Sequence, residues 1–400
     1  MKFLSDLKKK DLMGKVALVR VDLNIQSAEL RKIYAELRRS NFRVSPRSVR
    51  VNPRLEEVLP TIKFLLKNGA KVVLLSHRGR PKGYQKEFSL KPFAKIFEKL
   101  LDQPVKFNDF TSPGLVNNNG NFTRPGLVKS ERIVLLENLR FNPGEEKNNL
   151  KFAKALASLG DIFINDAFAV SHRANASVEA ITKYLPSYAG LLLEKEVSNL
   201  NKVARGITQT KRGTTQKKGG LVIILGGAKI SDKIGMIENF KNKADYFLIG
   251  GGIANNFLKA QGFPIGDSIY EADKVNYAKK LLNNKKIVLP LDYAVENKKI
   301  LDIGPSTVRL YSNIIKKAKT IIWNGPMGYF EKPEFRYGSE GIVGAIIKSK
   351  AFVVVGGGET SSLFNGKRRM GNGKIFVSTG GGAMLEYLSG KKLPGIKALD

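Results

Sequence analysis

Seven polar residues near the ends of apolar runs in the first half of the chain are of the kinds that hold a small, multiply charged anion: Asp22, Asn24, Arg54, His77, Arg80, Arg140 and Arg173. Guanidinium forks bind phosphate and carboxylate through paired N–H donors and stay charged at any working pH. A single arginine at a strand end is ordinarily a surface ion pair. Four of them (Arg54, Arg80, Arg140 and Arg173) stand close in pattern to His77 and His172, the only two histidines of the chain. Asp22 and Asn24 suit substrate hydroxyls. A zinc site built on two isolated histidines ranks lower, and no G-x-S-x-G elbow supports a serine nucleophile.

The second half carries a different pattern. Four apolar runs stop at glycine clusters: LVIILGGAKISDKIGMIENF (221–240), DYFLIGGGIANNFLKAQG (245–262), AFVVVGGGETSSLF (351–364) and KIFVSTGGGAMLEYL (374–388). A continuous β-branched run reads as a buried parallel strand. A helix that follows at once aims its unpaired N–H groups back at the turn. Glycine there removes Cβ, so a phosphate oxygen can approach the backbone where the helix dipole is positive. Lys229 and Lys233 follow the first glycine turn at i and i+4, which places them on one face of a helix start. Lysines are unfavourable at that end of a helix, and a bound anion would relieve them. This half is expected to hold a nucleotide or another polyphosphate.

The elements that must position these groups alternate. Residues 15–25, 70–83, 132–141 and 161–177 contain apolar strands opening into polar loops, and 55–69 has helical periodicity closed by Gly69. Strand, loop and helix in alternation predict α/β architecture with parallel sheets. Four hundred residues, 42% hydrophobic, with 39 glycines, fit a globular α/β enzyme of about two domains. The absence of cysteine excludes disulfides, thiolate metal sites and cysteine nucleophiles. No run approaches the roughly 18 apolar residues of a membrane span, and a cytoplasmic protein is the expectation.

Charge is the odd feature, with 68 Lys and Arg against 35 Asp and Glu, a net +33. Such a balance points to nucleic acid or an acidic surface as partner. Yet the basic residues concentrate in Arg31–Arg54, Asn199–Gly220 and Lys367–Lys374, without the interleaved aromatics of a stacking platform. Solvated loops explain these runs as well as RNA does. An anion site in one half and phosphate-cradling turns in the other point to phosphoryl transfer across a cleft, which needs positioning and charge neutralisation. The chain has neither G-x-x-x-x-G-K-[ST] nor H-R-D with D-F-G, so it is neither a P-loop enzyme nor a protein kinase. A dehydrogenase is disfavoured because no G-x-G-x-x-G with a following acid occurs where it should.

Ten segments, nearly end to end, resemble the phosphoglycerate kinase family: VRVDLNI, SHRGRPKG, LLENLRF, NDAFAVSHRANAS, LGGAKISDKI, LIGGGIANNFL, LDIGPSTV, IIWNGPMGYFE, VVVGGGET and VSTGGGAMLEYLSGKKLPGI. SHxGRPKG, LLENLRF, WNGPMGxFE and STGGGA in that order are highly specific. The resemblance implies two Rossmann-like domains, each a parallel sheet flanked by helices, joined by a hinge helix. Its boundaries fall at 1–184 for 3-phosphoglycerate, 185–200 for the helix, 201–385 for the nucleotide, and 386–400 for a tail returning to the first domain. It implies reversible phosphoryl transfer between 1,3-bisphosphoglycerate and ADP, giving 3-phosphoglycerate and ATP, with Mg²⁺, in a glycolytic monomer. Asp22, Asn24, Arg54, His77, Arg80, Arg140 and Arg173 match the phosphoglycerate site. Arg54 matches the arginine that stabilises the carboxylate and the transferring phosphoryl group. Lys233 matches the lysine that contacts the transferred phosphate, with Lys229 in support. Glu331 matches the acid that takes the ribose hydroxyls. Gly357, Gly358, Glu359 and Thr360 match the loop for nucleotide phosphates and magnesium, and Gly381 lies at the helix N-terminus aimed at the phosphoryl in transit.

The chain departs from the family pattern at several positions. Glu359 stands where Asp is usual, lengthening the metal ligand by one methylene. Gln26 replaces a common proline, Asn175 a common histidine, and Ile300 a small residue that borders the nucleoside pocket. The stretch 26–53 is longer than the usual connection, and 201–219 resembles a second insertion. A nucleic-acid binder on a retained kinase scaffold is the competing reading. Retention of Arg54, Lys229, Lys233 and Glu331 speaks against it.

Overall fold

The computed structural model describes residues 1–39, 52–109, 131–208, 220–364 and 375–400. Most of the basic clusters, including 40–51, 209–219, Lys367, Arg368, Arg369 and Lys374, lie outside those residues. The chain divides into two compact units, one of Met1–Val197 with Lys392–Asp400 and one of Ser198–Lys391.

The first unit holds six parallel strands: β1 (Val16–Arg20), β2 (Lys71–Leu75), β3 (Lys106–Asn108), β4 (Ile133–Leu136), β5 (Ile162–Asn165) and β6 (Ser187–Ala189), in the order β3-β4-β2-β1-β5-β6. Alternate residues of each strand enter different cores. Ala17, Val19, Val72, Leu74, Ile133, Leu135, Ile162 and Ile164 join one cluster, and Val16, Leu18, Val73, Leu75, Val134, Leu136 and Phe163 the other. Burial on both faces is why these strands read as unbroken apolar runs. The order reverses direction at β1 and β5, and it is outside the carboxyl ends of strands at such a point that open α/β sheets bind ligands.

Several elements differ from their expected extents. β1 ends at Arg20 rather than near residue 25, because the next residues are drawn into loop contacts. Val21 N–H makes the last bond of the β1–β2 ladder, to the Leu75 carbonyl at 2.9 Å, and Leu23 N–H then turns to Ser76 Oγ at 2.9 Å. The helix expected over 55–69 is two helices, Pro53–Glu56 and Leu59–Lys67, the first capped by Asn52 and the second carrying Pro60 in its first turn. Gly69 follows with φ +83°, as its stop signal predicts. The helix expected over 185–200 begins only at Leu191 and runs to Thr208, because Ser187–Ala189 pairs with β5 as an edge strand. Residues 27–39, inside a basic stretch equally readable as solvated loop, form a helix with Leu30 and Ile33 buried.

The second unit holds β7 (Leu221–Leu225), β8 (Tyr246–Ile249), β9 (Ile287–Val288), β12 (Thr320–Asn324), β13 (Phe352–Gly356) and β14 (Ile375–Val377) as a parallel sheet ordered β14-β13-β12-β7-β8-β9. An antiparallel pair, β10 (Tyr293–Glu296) and β11 (Lys299–Ile303), stands apart from it. Here the order reverses at β7 and β12, and the turns after these strands pack backbone against backbone. Gly226 N–H donates to the Asn324 carbonyl at 3.0 Å and Gly227 N–H to the Pro326 carbonyl at 2.8 Å. Gly325 adopts φ +92°, and a Cβ there would collide with the Gly226 carbonyl.

Gly325→Ala should therefore lose about 3 kcal/mol of stability in urea denaturation, from a strained φ and overpacking together. Gly344→Ala is the control. It lies inside the helix Tyr337–Lys348, where a Cβ meets nothing within 4 Å among the described residues, and should gain about 0.5–1 kcal/mol. An unchanged midpoint for Gly325→Ala would refute the close packing of the two turns.

Candidate functional site

In the first unit, loops at the carboxyl ends of β1, β2, β4 and β5 supply Asp22 and Asn24, His77 and Arg80, Arg140, and Arg173, respectively. Asp22 anchors this set. Its Oδ2 accepts from Arg54 Nη1 at 2.7 Å and its Oδ1 from Asn24 N–H at 3.1 Å. Arg54 Nη1 also donates to the Asn24 carbonyl at 3.0 Å, and Asn24 Oδ1 accepts from Gly79 N–H at 2.9 Å. Arg140 Nη1 donates to the Gly79 carbonyl at 2.6 Å, while its Nε ion-pairs with Glu146 at 3.1 Å. Arg173 Nε donates to His172 Nε2 at 3.2 Å. Arg80 is exposed on its loop.

His77 is nearly fully buried and held well below the usual histidine range. Burial is the main cause, and the guanidiniums of Arg20, Arg140, Arg173 and Arg54 add to it. Four positive charges thus converge on one neutral ring. Arg20 Nη2 lies 3.1 Å from His77 Nδ1, and an arginine only donates, so Nδ1 accepts and the ring proton sits on Nε2. The unfolded chain protonates this ring near its ordinary value of about 6.5. His77 therefore weakens the fold as pH drops through that range.

Arg20 was not singled out by sequence reasoning, although an arginine inside the apolar run VALVRV was a signal. It is fully buried, donates from Nε to Ser177 Oγ at 2.9 Å and to the Val21 carbonyl, and lies 3.9 Å from Glu145. Ser177 Oγ in turn donates to Glu145 Oε1 at 2.6 Å. Asn138 was also missed. Its amide donates to the Arg78 carbonyl at 2.7 Å, and its Oδ1 accepts from Arg140 N–H at 3.1 Å, tying the β2 and β4 loops together.

In the second unit three of the four glycine clusters start helices as expected, at Gly251, Gly358 and Gly381. The first does not. After β7 the chain stays irregular to Ile230, makes a short turn over Ser231–Lys233, and becomes α-helical only at Ile234. Lys229 and Lys233 therefore do not share a helix face. Packing of Gly226 and Gly227 on the Gly325–Pro326 backbone delays the helix and leaves Lys229 exposed in the loop. Lys233 is buried, and its Nζ donates to Asn324 Oδ1, a partner the sequence did not reveal. Burial lowers the Lys233 pKa, with Asp232 and Glu359 opposing.

Gly357 has φ +95°, and Thr360 Oγ1 accepts from Gly325 N–H at 2.8 Å, fixing the loop that carries Gly358 and Glu359. A Cβ on Gly381 would meet the Gly357 backbone, so the last two glycine turns lie against each other. Burial raises the Glu359 pKa; Glu331 adds to this and Lys233 counters it. These three charged groups share one neighbourhood. Beside them opens a cavity of about 360 Å³ lined by Gly227, Gly251, Ile269, Tyr293, Ile300 and Met327, with Glu331 and Glu359 on its wall. Mostly apolar walls with a few charged groups suit a nucleoside. Among the described residues no three His, Asp or Glu side chains gather as a metal cage.

Comparison with known proteins identifies the family. The family model described as phosphoglycerate kinase matches residues 6–391. A phosphoglycerate kinase of Dictyoglomus turgidum is 41% identical over 428 aligned positions, covering 100% of this chain and 99% of that protein. One of Coprothermobacter proteolyticus is 44% identical, covering 85% of this chain and 88% of that protein. Among solved structures, phosphoglycerate kinase from Pyrococcus horikoshii superposes with a TM-score of 0.78 at 30% identity, covering 100% of this chain and 98% of that one. The Coxiella burnetii enzyme gives 0.74 at 35% identity, covering 99% of this chain and 98% of that one. With the family matched across nearly the whole sequence and two such sheets carrying these strand-end groups, the chain belongs to the phosphoglycerate kinase family.

Proposed function

We propose that this chain catalyses the reversible transfer of a phosphoryl group between 1,3-bisphosphoglycerate and ADP, giving 3-phosphoglycerate and ATP in glycolysis, with the residues described above in the following roles. The observation that carries the reading is the hydrogen-bonded set of one unit in which Arg54 is held by Asp22, Asn24 and Arg140 both bond Gly79, Arg173 bonds His172, and Arg20 bonds the buried His77. Asp22, Glu146 and Glu145 offset part of that positive charge, and a small polyanion would balance the rest. Asp22 and Asn24 take the hydroxyl end of 3-phosphoglycerate, and Arg80, Arg140 and Arg173 its phosphate. Arg54 stabilises the carboxylate and the phosphoryl group as it moves. Because Arg54 is already held by Asp22 and the Asn24 carbonyl, its guanidinium needs little reorganisation when charge develops.

In the second unit the cavity takes the nucleoside, Ile300 narrows it, and Glu331 accepts from the ribose hydroxyls. Gly357, Gly358 and Thr360 carry the nucleotide phosphates. Glu359 is the residue that would hold Mg²⁺: burial and Glu331 both disfavour its charge, and a cation beside it would reverse that. When bound, the ion neutralises charge on the phosphates. Lys233, oriented by Asn324, contacts the transferred phosphate, and Lys229 supports it from the loop. The free amides at the start of the helix Gly381–Leu388 face developing negative charge. The proposal includes a cytoplasmic monomer. Among the described residues no helix is long and apolar enough to cross a membrane.

A coupled assay with 3-phosphoglycerate, ATP and Mg²⁺ tests the reading directly. Arg54→Ala should lower kcat on the order of a hundredfold while changing KM little, the behaviour of a group that acts mainly in the transition state. Near wild-type turnover would remove Arg54 from the role assigned.

The two lysines separate by burial. Lys233→Ala should cripple turnover, since it leaves the Asn324 amide without its partner and the phosphate without its cation. Lys229→Ala, at an exposed loop position, should cost less. A larger loss at Lys229 would reverse the assignment.

Glu359→Asp should keep activity or raise it at limiting Mg²⁺, because the shorter acid is the family norm and Mg²⁺ tolerates little departure from octahedral geometry. A large fall at saturating Mg²⁺ would show that the loop has adapted to glutamate.

A further inference from the structure

The basic stretch after β1 contains a helix that is hydrogen-bonded to the turn carrying Arg54. Helix Ser27–Arg39 buries Leu30 and Ile33 in the cluster that also takes Leu55, Val58 and Ile62, and the Tyr34 hydroxyl donates to the Pro92 carbonyl. Arg78 fastens its first turn. The guanidinium donates from Nη2 to Ser27 Oγ at 2.8 Å, from Nε to the Ile25 carbonyl at 3.0 Å and from Nη1 to the Glu87 carbonyl at 2.6 Å.

From this anchored turn Glu29 reaches across 23 positions of sequence: its Oε1 accepts from Asn52 Nδ2 at 2.5 Å. Asn52 is the N-cap of helix Pro53–Glu56, and its Oδ1 accepts from Arg54 N–H at 2.8 Å. An asparagine cap works only with the oxygen turned toward the helix, because the amide nitrogen cannot accept. The terminal torsion of asparagine is broad and its two ends are nearly equal in shape, so a local preference for that orientation is weak. A carboxylate on the amide nitrogen removes the ambiguity, since it accepts from Nδ2 and would repel Oδ1.

We propose that Glu29 is a positioning residue for Arg54. It locks the Asn52 cap, the cap fixes the first turn of Pro53–Glu56, and the turn sets the direction from which the Arg54 guanidinium reaches Asp22 and the Asn24 carbonyl. The extra residues after β1 thus serve the reaction through their helix, whatever their surface charge does. The inference rests on the transition-state role proposed for Arg54.

The test is a double-mutant cycle on turnover in the full-length protein, with thermal unfolding to confirm that each variant is folded. Glu29→Ala should lower kcat about three- to tenfold, the span of one net hydrogen bond, with the KM for ATP unchanged. Glu29→Gln retains an acceptor oxygen and should recover most of the loss. In an Arg54→Ala background, Glu29→Ala should add nothing, because its effect passes through the missing guanidinium. Three results would overturn the inference: wild-type kcat in Glu29→Ala, Gln behaving like Ala, or a full further loss in the Arg54→Ala background. If Arg54→Ala itself turned over normally, the role of Arg54 would fall and this inference with it. If Arg54→Ala is crippled while Glu29→Ala is not, only the positioning role falls.

Discussion

A parallel sheet covered on both faces leaves its polar chemistry almost nowhere to go but the strand ends. Strands β1, β2, β4 and β5 bury residues of both pleats, Val16 to Val19 and Val72 to Leu75 among them. A charged group within those runs has to be neutralised by partners or be excluded. Arg20, at the last position of β1, shows the limit. It is tolerated because Ser177, the Val21 carbonyl and Glu145 surround it, and because it lies next to the loops where polarity begins. The same constraint shapes the second sheet, where the apolar runs of β7, β8 and β13 give way at once to glycine and that of β14 does so after Ser378 and Thr379.

Within that constraint the two units solve different problems. The first must concentrate positive charge without ionising the histidine among it. Burial and the four guanidiniums keep His77 neutral, so the ring contributes a hydrogen bond to the cluster and no further charge. The loops are cross-tied by Asn24 on Gly79, Asn138 on Arg78 and Arg140 on Gly79, so the arginines are held before any anion arrives. Prior organisation of this kind avoids reorganisation cost during the reaction. The second unit must bring backbone amides and one lysine close to phosphate. Its central turns are therefore packed so tightly that Gly226 and Gly325 have no room for a side chain.

Close packing at those turns also explains where the lysines ended up. Spacing alone placed Lys229 and Lys233 on one helix face. The Gly226–Pro326 contact holds the chain irregular through Ile230, and burial then falls on Lys233 alone. The second cluster packs on the same turn, with Gly251 N–H donating to the Met327 carbonyl at 2.7 Å, yet its helix opens at once. The first cluster has two glycines where the others have three, and its chain reaches helical geometry only at Ile234.

Local sequence determined the parallel strands, the glycine turns and the strand-end arginines, because each is written in a short run: apolar residues in sequence, then a residue that breaks the pattern. Asp22, His77, Arg140 and Arg173 stand out beyond strands for that reason, whereas Arg54 stands at the start of a helix. What only the tertiary structure decided are the partners. Arg20 with His77, Asn138 with Arg78, Lys233 with Asn324 and Glu29 with Asn52 join residues from different elements or distant turns. The start of the helix at Ile234 and the late start at Leu191 have the same origin. Each is set by a contact with a distant segment, the Gly325–Pro326 turn in one case and β5 in the other. Periodicity carries the direction a side chain faces within its own element. It holds no information about which distant backbone or side chain will stand opposite, because that depends on how the strands are ordered and how closely their loops pack.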